Sequence, residues 1–583
     1  MAASFRFSPR ANRAHEIAWR PWGPDAFAEA EAAGRPVYLL LTAGWGEWCH
    51  RLDEEALSDP DLIATLNEHF IPMRVDADRH PHVQDRYIAG GWPTNAFLTP
   101  TGEVLWSAAY TEPHELQRVA TGVQRAWDGD RATLLGEIER RRRALEAART
   151  RHPPPGLVRR EAADDVLSAL RAAYDPRNGG FGDTPRFPDA DPLELLYLHG
   201  GRGDAEAAAM ADTTLDGILA GHLWDAEDGG FFRYATGADW TEPRREKLLE
   251  TQAELLRAFA LGAHLRQRPD WAERAERTVA WVDQALGRPD GLWAGSLVAE
   301  PGYFEDDAAA RASRPAPVPD QALFTHWNAL WIQALAEAGG RLARADWIAR
   351  AATALETLLE TMAAPGGLLY HYAEPDQEAR IDFLMVDALE AARACQTLAE
   401  LTGVELWMER ALALAAAMRK TYWSDEGGFW DRAKTGHDVG ILRYRDRPFD
   451  LNAHAARFWL HLALANQTGG HRAVAERILA ILSPRAGRWG VAGAPFALAA
   501  EEFFDRPLVL VVVGPPEATA ALRGAALAVP VPGRRVVNLP RGGRLDNADL
   551  AAVEGGALYV CRSGSVSAPV RQPADLPEAL GGR

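Results

Sequence analysis

The chain has 583 residues, of which 47% are hydrophobic, and carries a formal net charge of -18 with an isoelectric point near 5.4. At about 150 residues per domain, this length predicts three or four structural units. The negative charge repels phosphate backbones, and the sequence has no basic stripe with interleaved aromatic residues, so we expect no nucleic-acid partner.

Cysteine usage and hydropathy predict the compartment. The three cysteines, Cys49, Cys395 and Cys561, are far apart, so neighbouring residues form neither a disulfide framework nor a C-x-x-C zinc pair. The N-terminal residues contain no apolar signal-peptide core, and the longest strongly apolar run, 508–513, is too short to cross a bilayer. We therefore expect a cytoplasmic protein without a membrane partner.

The first 130 residues alternate between helical and extended patterns. Strands are predicted at 37–41, 71–75, 95–98 and 104–107, and helices at 26–33, after Cys49, at 62–69 and at 116–127. This βαβ-then-ββα order is typical of a thioredoxin-like domain. Trp92-Pro93-Thr94 stands where such folds place a cis proline facing the active-site loop.

The segment Gly44 to His50 has the pattern of a thioredoxin active-site loop in which Gly46 replaces the first cysteine of C-x-x-C. Dithiol exchange needs both thiols, because the second resolves the mixed disulfide of the first. Two interpretations of Cys49 stay open: a single-thiol redox group activated by the following helix, or a buried and inert thiol. The second is favoured, because free cysteine is among the most buried residue types.

Cys49-His50 together with His80 and His82 is a weak indication of a metal site. Thiolate and imidazole suit zinc, but an H-x-H spacing without a fourth ligand is more typical of histidines in a polar loop. We expect no metal and no other cofactor.

A charged helix and the run Pro153-Pro154-Pro155-Gly156 predict a linker over residues 131–160. From 161 to 505, Ala- and Leu-rich helical segments alternate with short glycine-aromatic loops. Six loops share this pattern: 179–181, 229–231, 290–293, 366–368, 427–429 and 488–490. Twelve helices in six hairpins predict an all-α (α/α)6 toroid whose loops surround one mouth of a central cavity. Residues 506–583 predict a small α/β segment.

A family resemblance follows from motifs along nearly the whole chain. They are Trp48-Cys49-His50, Val75-Asp76, Gly91-Trp92-Pro93, Phe97-Leu98-Thr99-Pro100, Gly179-Gly180-Phe181-Gly182, Arg186-Phe187-Pro188, Phe232-Arg233-Tyr234, Glu246-Lys247, Trp327-Asn328 and Tyr559-Val560-Cys561. In order and spacing the chain resembles the thioredoxin-domain family that includes spermatogenesis-associated protein 20. The resemblance implies a thioredoxin-like domain followed by a toroid similar to those of sugar epimerases and glycosidases.

The chain departs from that family at informative positions. Relatives typically have C-H-W-C-H where this chain has Gly46-Glu47-Trp48-Cys49-His50, and an H-F-E-K-M-L-Y-D stretch is replaced over residues 244–251. A later P-S-x-N-S pattern is also changed, around residues 448–452. Because of these departures, an activity known for relatives is not directly expected of this chain.

Proton-exchanging groups near the starts of inner helices are the candidates for catalysis. The predicted catalytic residues are Glu246, Asp320 and Asp450, and the predicted ligand-binding residues are Lys247, Trp327, Asn328, Phe181, Arg186, Arg233 and Tyr234. His326, Asp382, Asp387 and His454 are further candidates. An aspartate at a helix start is also explained as an N-cap, and aromatic residues at helical spacing are also explained as core.

The leading functional hypothesis is a toroid that binds or processes a sugar or similar small polar ligand, with epimerase-, isomerase- or glycosidase-like chemistry. A single-thiol redox or protein-interaction module is the first alternative, with a protein partner at the thioredoxin-like domain. A non-catalytic member of the family is the second. A dithiol oxidoreductase is not expected, because Gly46 removes one thiol.

Overall fold

The computed structural model describes residues 5–150 and 156–581, apart from 299, 301, 437, 466–468, 506, 541–543, 546–547, 550–555 and 563–564. The chain forms two compact units. The first comprises Met1–Pro153, Leu297–Asp320 and Arg432–Asp446, and the second comprises Pro154–Ser296, Gln321–Asp431 and Arg447–Arg583. Helices and strands are numbered below in chain order along the whole sequence.

The first unit is a thioredoxin-like domain built on a four-stranded sheet. Its helices are α1 (Pro24–Ala33), α2 (Glu47–Glu54), α3 (Pro60–His69), α4 (Pro81–Tyr87), α5 (Pro113–Gly129), α6 (Arg131–Thr150) and α12 (Ala308–Arg311), and its strands are β1 (Val37–Thr42), β2 (Ile71–Asp76), β3 (Thr94–Leu98) and β4 (Val104–Ala108). The strand order is β2-β1-β3-β4, with β1 parallel to β2 and antiparallel to β3. The Trp92-Pro93 peptide bond is cis.

Alternation along β1 supplies both faces of this sheet. Tyr38 and Leu40 belong to the core shared with α2, α3 and α5, whereas Leu39 and Leu41 pack with residues of α1 and α4. Because both faces are covered, β1 reads as a continuous apolar run. Of the predicted linker, residues 131–150 form α6, and residues 151–155 lie outside the described residues.

Two segments from the middle of the sequence complete the first unit. Ile441 donates its backbone N–H to the Tyr87 hydroxyl at 3.0 Å, and Leu442 joins the core of α1 and α4. Asp320 accepts two hydrogen bonds of 3.1 Å from Arg79 and pairs with Arg6 at 2.7 Å. Asp320, predicted as a catalytic residue of the toroid, is therefore part of the first unit and is neutralised there by two guanidinium groups.

The second unit contains the predicted (α/α)6 toroid. The inner helices are α8 (Ala190–Gly201), α10 (Leu249–Arg266), α13 (Thr325–Arg341), α15 (Met385–Thr402), α17 (Phe449–Ala465) and α19 (Ala494–Phe504). The outer helices are α7 (Glu161–Ala173), α9 (Ala205–Ala220), α11 (Pro269–Ala285), α14 (Ala345–Thr361), α16 (Glu405–Tyr422) and α18 (His471–Leu482). Each inner helix contacts the next in this order, and α19 contacts α8, so the inner ring closes.

Inner and outer helices differ in composition because they differ in burial. On α14 the buried residues Trp347, Ala351, Ala354, Leu355 and Leu358 recur at helical spacing, which marks one apolar stripe facing the ring. The inner helices α10, α13 and α15 are buried on nearly every side, and their many alanines let neighbouring helices approach closely.

Short strands pair the loops of the toroid. They are β5 (Tyr234–Ala235) with β6 (Pro243–Arg244), β7 (Leu323–Phe324) with β10 (Tyr372–Ala373), and β8 (Ala363–Ala364) with β9 (Leu368–Leu369). Among the described residues, every helix is too short or too polar to span a lipid bilayer.

The C-terminal segment is the predicted α/β appendage, and it lies in the same unit as the toroid. It contains β11 (Val509–Val513), α20 (Ala520–Leu527), β12 (Arg535–Leu539), β13 (Arg544–Leu545), β14 (Ala548–Asp549), β15 (Ala557–Arg562), β16 (Ser565–Val566) and α21 (Leu576–Gly581). Its main sheet has the order β12-β11-β15-β16. Asn538 of β12 donates to the carbonyls of Ala399 and Glu400 at 3.0 and 2.9 Å, which fastens the sheet to α15.

Candidate functional site

Three inner helices hold their glycine-aromatic loops through an amide side chain at the fourth helical position. In each case the amide oxygen accepts the backbone N–H of the loop aromatic residue, and the amide nitrogen donates to that residue's carbonyl. The pairs are Gln252 with Phe231 (both 2.8 Å), Asn328 with Trp293 (both 2.9 Å) and Asn452 with Phe429 (2.7 and 3.0 Å). The three aromatic residues are fully buried, so they are not platforms for a ligand.

A basic residue that precedes the inner helix also binds the glycine-aromatic loop. Each one binds an acidic residue that opens the loop and a glycine carbonyl within it. The sets are Arg186 with Asp175 (2.6 Å) and Gly179, Lys247 with Asp225 (2.7 Å) and Gly229 (2.6 Å), and Arg447 with Glu426 (2.7 Å) and Gly427 (2.9 Å). Arg186, Lys247 and Asn328 are buried and hold these loops through the bonds described.

Replacing Asn328 by alanine should lower the free energy of unfolding by about 1–3 kcal/mol. The substitution leaves the buried N–H and carbonyl of Trp293 without their partner, and such groups cost their full desolvation penalty. Urea unfolding followed by circular dichroism measures the change. The exposed Gln377→Ala variant is the control and should stay within about 0.5 kcal/mol of the parent. Equal losses in both variants would contradict the anchoring role.

The second residue of most inner helices lies on the opposite side from this anchor. Positions two and four of a helix are about 200° apart, so a side chain at position two points away from its own loop. The residues at position two are Asp191, Glu250, His326, Val386 and Asp450, and all of them are half-buried or exposed. Asp191 lies 3.4 Å from His454 of α17 and 3.5 Å from Arg257 of α10, which places it between inner helices. We call this layer of second residues, together with the side chains and loops that adjoin it, the mouth.

Carboxylates crowd one side of the mouth. Loss of hydration among the surrounding helices, reinforced by repulsion from Glu254 and then Asp189, raises the pKa of Glu250 to about 7. The same two causes, with Glu254 and Asp191 as the repelling groups, raise the pKa of Asp189 to about 7. Both side chains nevertheless reach solvent. Two accessible carboxyl groups are therefore poised to gain and lose protons near neutral pH.

A cation and two aromatic rings adjoin these carboxylates. The positive charge of Arg233 opposes the rise in the pKa of Glu250, and its guanidinium lies 5.1 Å from the centre of the Tyr234 ring. Tyr234 in turn packs at 4.6 Å against Phe187, whose surface is 47% exposed. Of the predicted ligand-binding residues, Arg233 and Tyr234 are thus brought beside the mouth carboxylates.

Below the mouth, the axis of the ring is filled by ion pairs. The ninth residue of α10, α15 and α17 is an arginine: Arg257, Arg393 and Arg457, respectively. Glu194 of α8 accepts hydrogen bonds from Arg457 at 3.1 Å and from Arg257 at 3.4 Å. Glu502 of α19 accepts a hydrogen bond from Arg457 at 2.8 Å. The space left among these groups is a polar cavity of about 110 Å³. This space is too small for a ligand larger than a few water molecules.

The remaining predicted residues are dispersed. Glu246 is half-buried in the loop before α10, Asp450 is exposed at the mouth, and Phe181 is half-buried 6.2 Å from the Tyr174 ring. Trp327 is buried between Phe324 and His326. Asp189, Glu250 and Glu254 were not predicted from the sequence. Comparing the second residues of the predicted inner helices with one another could have indicated Glu250. Asp189 and Glu254 are recognisable only from the residues that surround them in the folded structure.

The mouth also contains a group of possible metal ligands. His326, His371 and Asp387 offer donor atoms that all lie within 4.8 Å of one another. Two of these, His326 and Asp387, were sequence candidates, whereas His371 lies in a loop where nothing in the sequence singles it out.

In the first unit, Cys49 is 1% exposed, and its sulfur accepts a hydrogen bond of 3.4 Å from the backbone N–H of Ala43. Burial raises the pKa of this thiol to about 12, against the lowering by the Ala43 N–H. A reactive thiolate needs a shift in the opposite direction. Burial and the raised pKa therefore favour the interpretation of Cys49 as an inert thiol.

Cys49 should resist alkylation in the folded protein at pH 8, because the thiol is both protonated and covered. Iodoacetamide labelling followed by peptide mass spectrometry measures the modified fraction. The same chain in 6 M guanidinium is the control and should be labelled completely. Labelling of Cys49 in the native protein at the rate of a free thiol would restore the redox alternative.

Gly46 keeps the geometry of a C-x-x-C pair. A Cβ built on Gly46 would lie 3.7 Å from the Cys49 Cβ and 3.0 Å from its sulfur, and disulfides have Cβ atoms about 3.8 Å apart. Gly46→Cys should therefore form a disulfide with Cys49 under mild oxidation, observed as a mass loss of two hydrogens. Gly44→Cys is the control and should not cross-link. Failure of Gly46→Cys to oxidise would show that the loop has lost more than one thiol.

Comparison with known proteins agrees with the motifs. Residues 8–146 match the family Thioredox_DsbH, described as "Protein of unknown function, DUF255". The chain is 25% identical over 343 residues to spermatogenesis-associated protein 20 of Homo sapiens, covering 55% of this chain and 42% of that protein. It is 28% identical over 267 residues to an uncharacterized protein of Caenorhabditis elegans, covering 42% and 36%. The predicted family resemblance is confirmed, and the matches span about two fifths of these relatives.

Solved structures similar to the chain include cellobiose 2-epimerase from Bacillus thermoamylovorans, with a TM-score of 0.44 and 12% identity, covering 55% of this chain and 85% of that chain. D-mannose isomerase matches with the same score and identity, covering 55% and 84%. The toroid is recognised from the helix order and closed inner ring described above, independently of these two proteins.

Proposed function

We propose that this protein is an enzyme that acts on a sugar or similar small polar molecule at the mouth of its (α/α)6 toroid. A thioredoxin-like region, which matches the family over residues 8–146, precedes the toroid. Glu250 and Asp189 are the proposed proton-transfer groups. Arg233, Tyr234 and Phe187 are the proposed binding groups.

The observation that carries this proposal is the position and protonation of Glu250. Its carboxyl group is accessible, stands at the second position of an inner helix, and has its pKa raised to about 7 by its surroundings. Such a group is half protonated at neutral pH, so it is able both to donate and to accept a proton. Asp189 supplies a second group of the same kind, and isomerisation and hydrolysis both need an acid and a base.

The surroundings favour a hydroxyl-rich ligand over an apolar one. Carboxylates accept hydrogen bonds from hydroxyl groups, the Arg233 guanidinium donates to their oxygens, and the faces of Tyr234 and Phe187 suit the apolar face of a sugar ring. An apolar ligand at the same place would leave these charged groups desolvated and unpaired.

The test is a thermal-shift screen of the full chain with monosaccharides, disaccharides, sugar phosphates and polyols. A ligand at about 100 times its dissociation constant should stabilise the protein by about 2.7 kcal/mol. Each stabilising compound is then incubated with the protein, and its isomerisation or hydrolysis is followed by chromatography. If no compound stabilises the protein, the proposal fails. If ligands bind without turnover, the non-catalytic alternative is the better interpretation.

A further inference from the structure

Three side chains at the mouth converge from different elements. His326 is the second residue of α13, His371 lies between β9 and β10, and Asp387 is the third residue of α15. His371 and Asp387 are fully buried, whereas the His326 side chain is 19% exposed. Their donor atoms lie within 4.8 Å of one another, so one side of this cluster is reached from solvent through His326.

Hydrogen bonds fix two of the three groups and leave part of the third unsatisfied. His371 Nδ1 lies 3.0 and 3.1 Å from the Asp387 carboxylate oxygens, and Asp387 Oδ1 also accepts the backbone N–H of His326 at 3.2 Å. His326 Nδ1 is buried without a hydrogen-bond partner, 3.8 Å from Asp387 Oδ1. Buried polar atoms are nearly always paired, so an unpaired nitrogen 3.8 Å from a carboxylate oxygen indicates a missing ligand.

We propose that His326, His371 and Asp387 bind one divalent transition-metal ion, with zinc as the first choice. Two imidazoles and a carboxylate are a donor set typical of zinc and of other late first-row metals, whereas magnesium and calcium prefer oxygen ligands alone. Three protein ligands leave a coordination position open, as in catalytic rather than structural zinc sites.

The distances allow an ion after a small movement. Zinc bonds of about 2.0–2.1 Å in a tetrahedral site place donor atoms about 3.3 Å apart. His371 and Asp387 already have this spacing, at 3.0–3.1 Å. His326 Nδ1 lies farther away, 3.8 Å from Asp387 Oδ1, so its half-buried ring must move toward Asp387 for all three groups to bind one ion.

The experiment measures metal content on the full chain without an affinity tag. The protein is stripped with a chelator, dialysed against micromolar ZnCl₂ and then against metal-free buffer, and analysed by inductively coupled plasma mass spectrometry. We expect about one zinc ion per chain for the parent and at least tenfold less retained zinc for His326→Ala. His454→Ala, which removes another mouth histidine, is the matched control and should bind like the parent.

Two outcomes overturn the inference: a parent protein that retains no zinc, or a His326→Ala variant that binds zinc as tightly as the parent. Circular dichroism confirms that His326→Ala is folded. If it is not folded, zinc-dependent thermal stabilisation of the parent is compared with that of His326→Gln. Metal content is independent of turnover, so this test fails or succeeds separately from the proposed sugar chemistry.

Discussion

Replacing Glu194 by glutamine should lower the free energy of unfolding by about 3–5 kcal/mol at pH 7. Glu194 is largely buried on the axis of the toroid and accepts hydrogen bonds from Arg457 and Arg257. A neutral amide removes the carboxylate that the two guanidinium groups share, in a medium that solvates them poorly, and removing one partner of a buried ion pair is strongly destabilising.

Urea unfolding followed by tryptophan fluorescence measures this loss. Glu276→Gln is the matched control, because Glu276 also pairs with an arginine, Arg344 at 3.0 Å, but on the exposed surface of α11. The control should lose less than about 1 kcal/mol. If the two variants lose the same stability, the axial ion pairs contribute no more than surface pairs.

The same ion pairs predict loss of stability in acid. Burial alone would raise the pKa of Glu502, but Arg457 and His461 outweigh it and lower the pKa to about 2. A carboxyl group with a folded pKa below its unfolded value of about 4.3 stabilises the protein above that value, and this contribution is lost as pH falls toward 2. Burial also opposes Arg457 and Arg257 at Glu194, where the pKa is again lowered. Glu194→Gln should therefore flatten the dependence of stability on pH between about 5 and 2.

Glu250→Gln should lower kcat/KM for a sugar substrate found in the screen by about 10²- to 10⁴-fold. Glutamine keeps the shape and hydrogen-bonding reach of the side chain but is unable to exchange a proton. In the same variant, binding measured by thermal shift should change much less than turnover. A loss confined to binding would assign Glu250 to ligand recognition only.

Glu250→Gln should also raise the melting temperature at pH 8 by more than at pH 4.5. The folded pKa of about 7 lies above the unfolded value of about 4.3, so ionisation of Glu250 destabilises the folded state. This penalty is absent below about pH 4 and complete above about pH 7, and glutamine removes it. Differential scanning fluorimetry at the two pH values measures the difference, with Glu276→Gln as the control. A variant that is less stable than the parent at pH 8 would contradict the raised pKa.

The order of elements was predictable because local patterns carry it. The apolar runs at 37–41 and 71–75, and the repeated glycine-aromatic loops, depend only on neighbours along the chain. These signals predicted the thioredoxin-like sheet and the twelve helices of the toroid. The candidate site was predicted less completely, because residue type alone does not distinguish a loop anchor such as Lys247 from a ligand-binding cation such as Arg233.

By itself, the sequence determined the two fold types, their order along the chain and the absence of a second thiol at Gly46, since each follows from residue type and local spacing. Only the tertiary structure decided which charges meet. It places Asp320 with Arg79 in the first unit, anchors Asn328 to Trp293, and brings His371 to Asp387. The pKa of Glu250 depends first on burial among the helices, and Asp189 and Glu390 act on it from segments that are distant in the sequence.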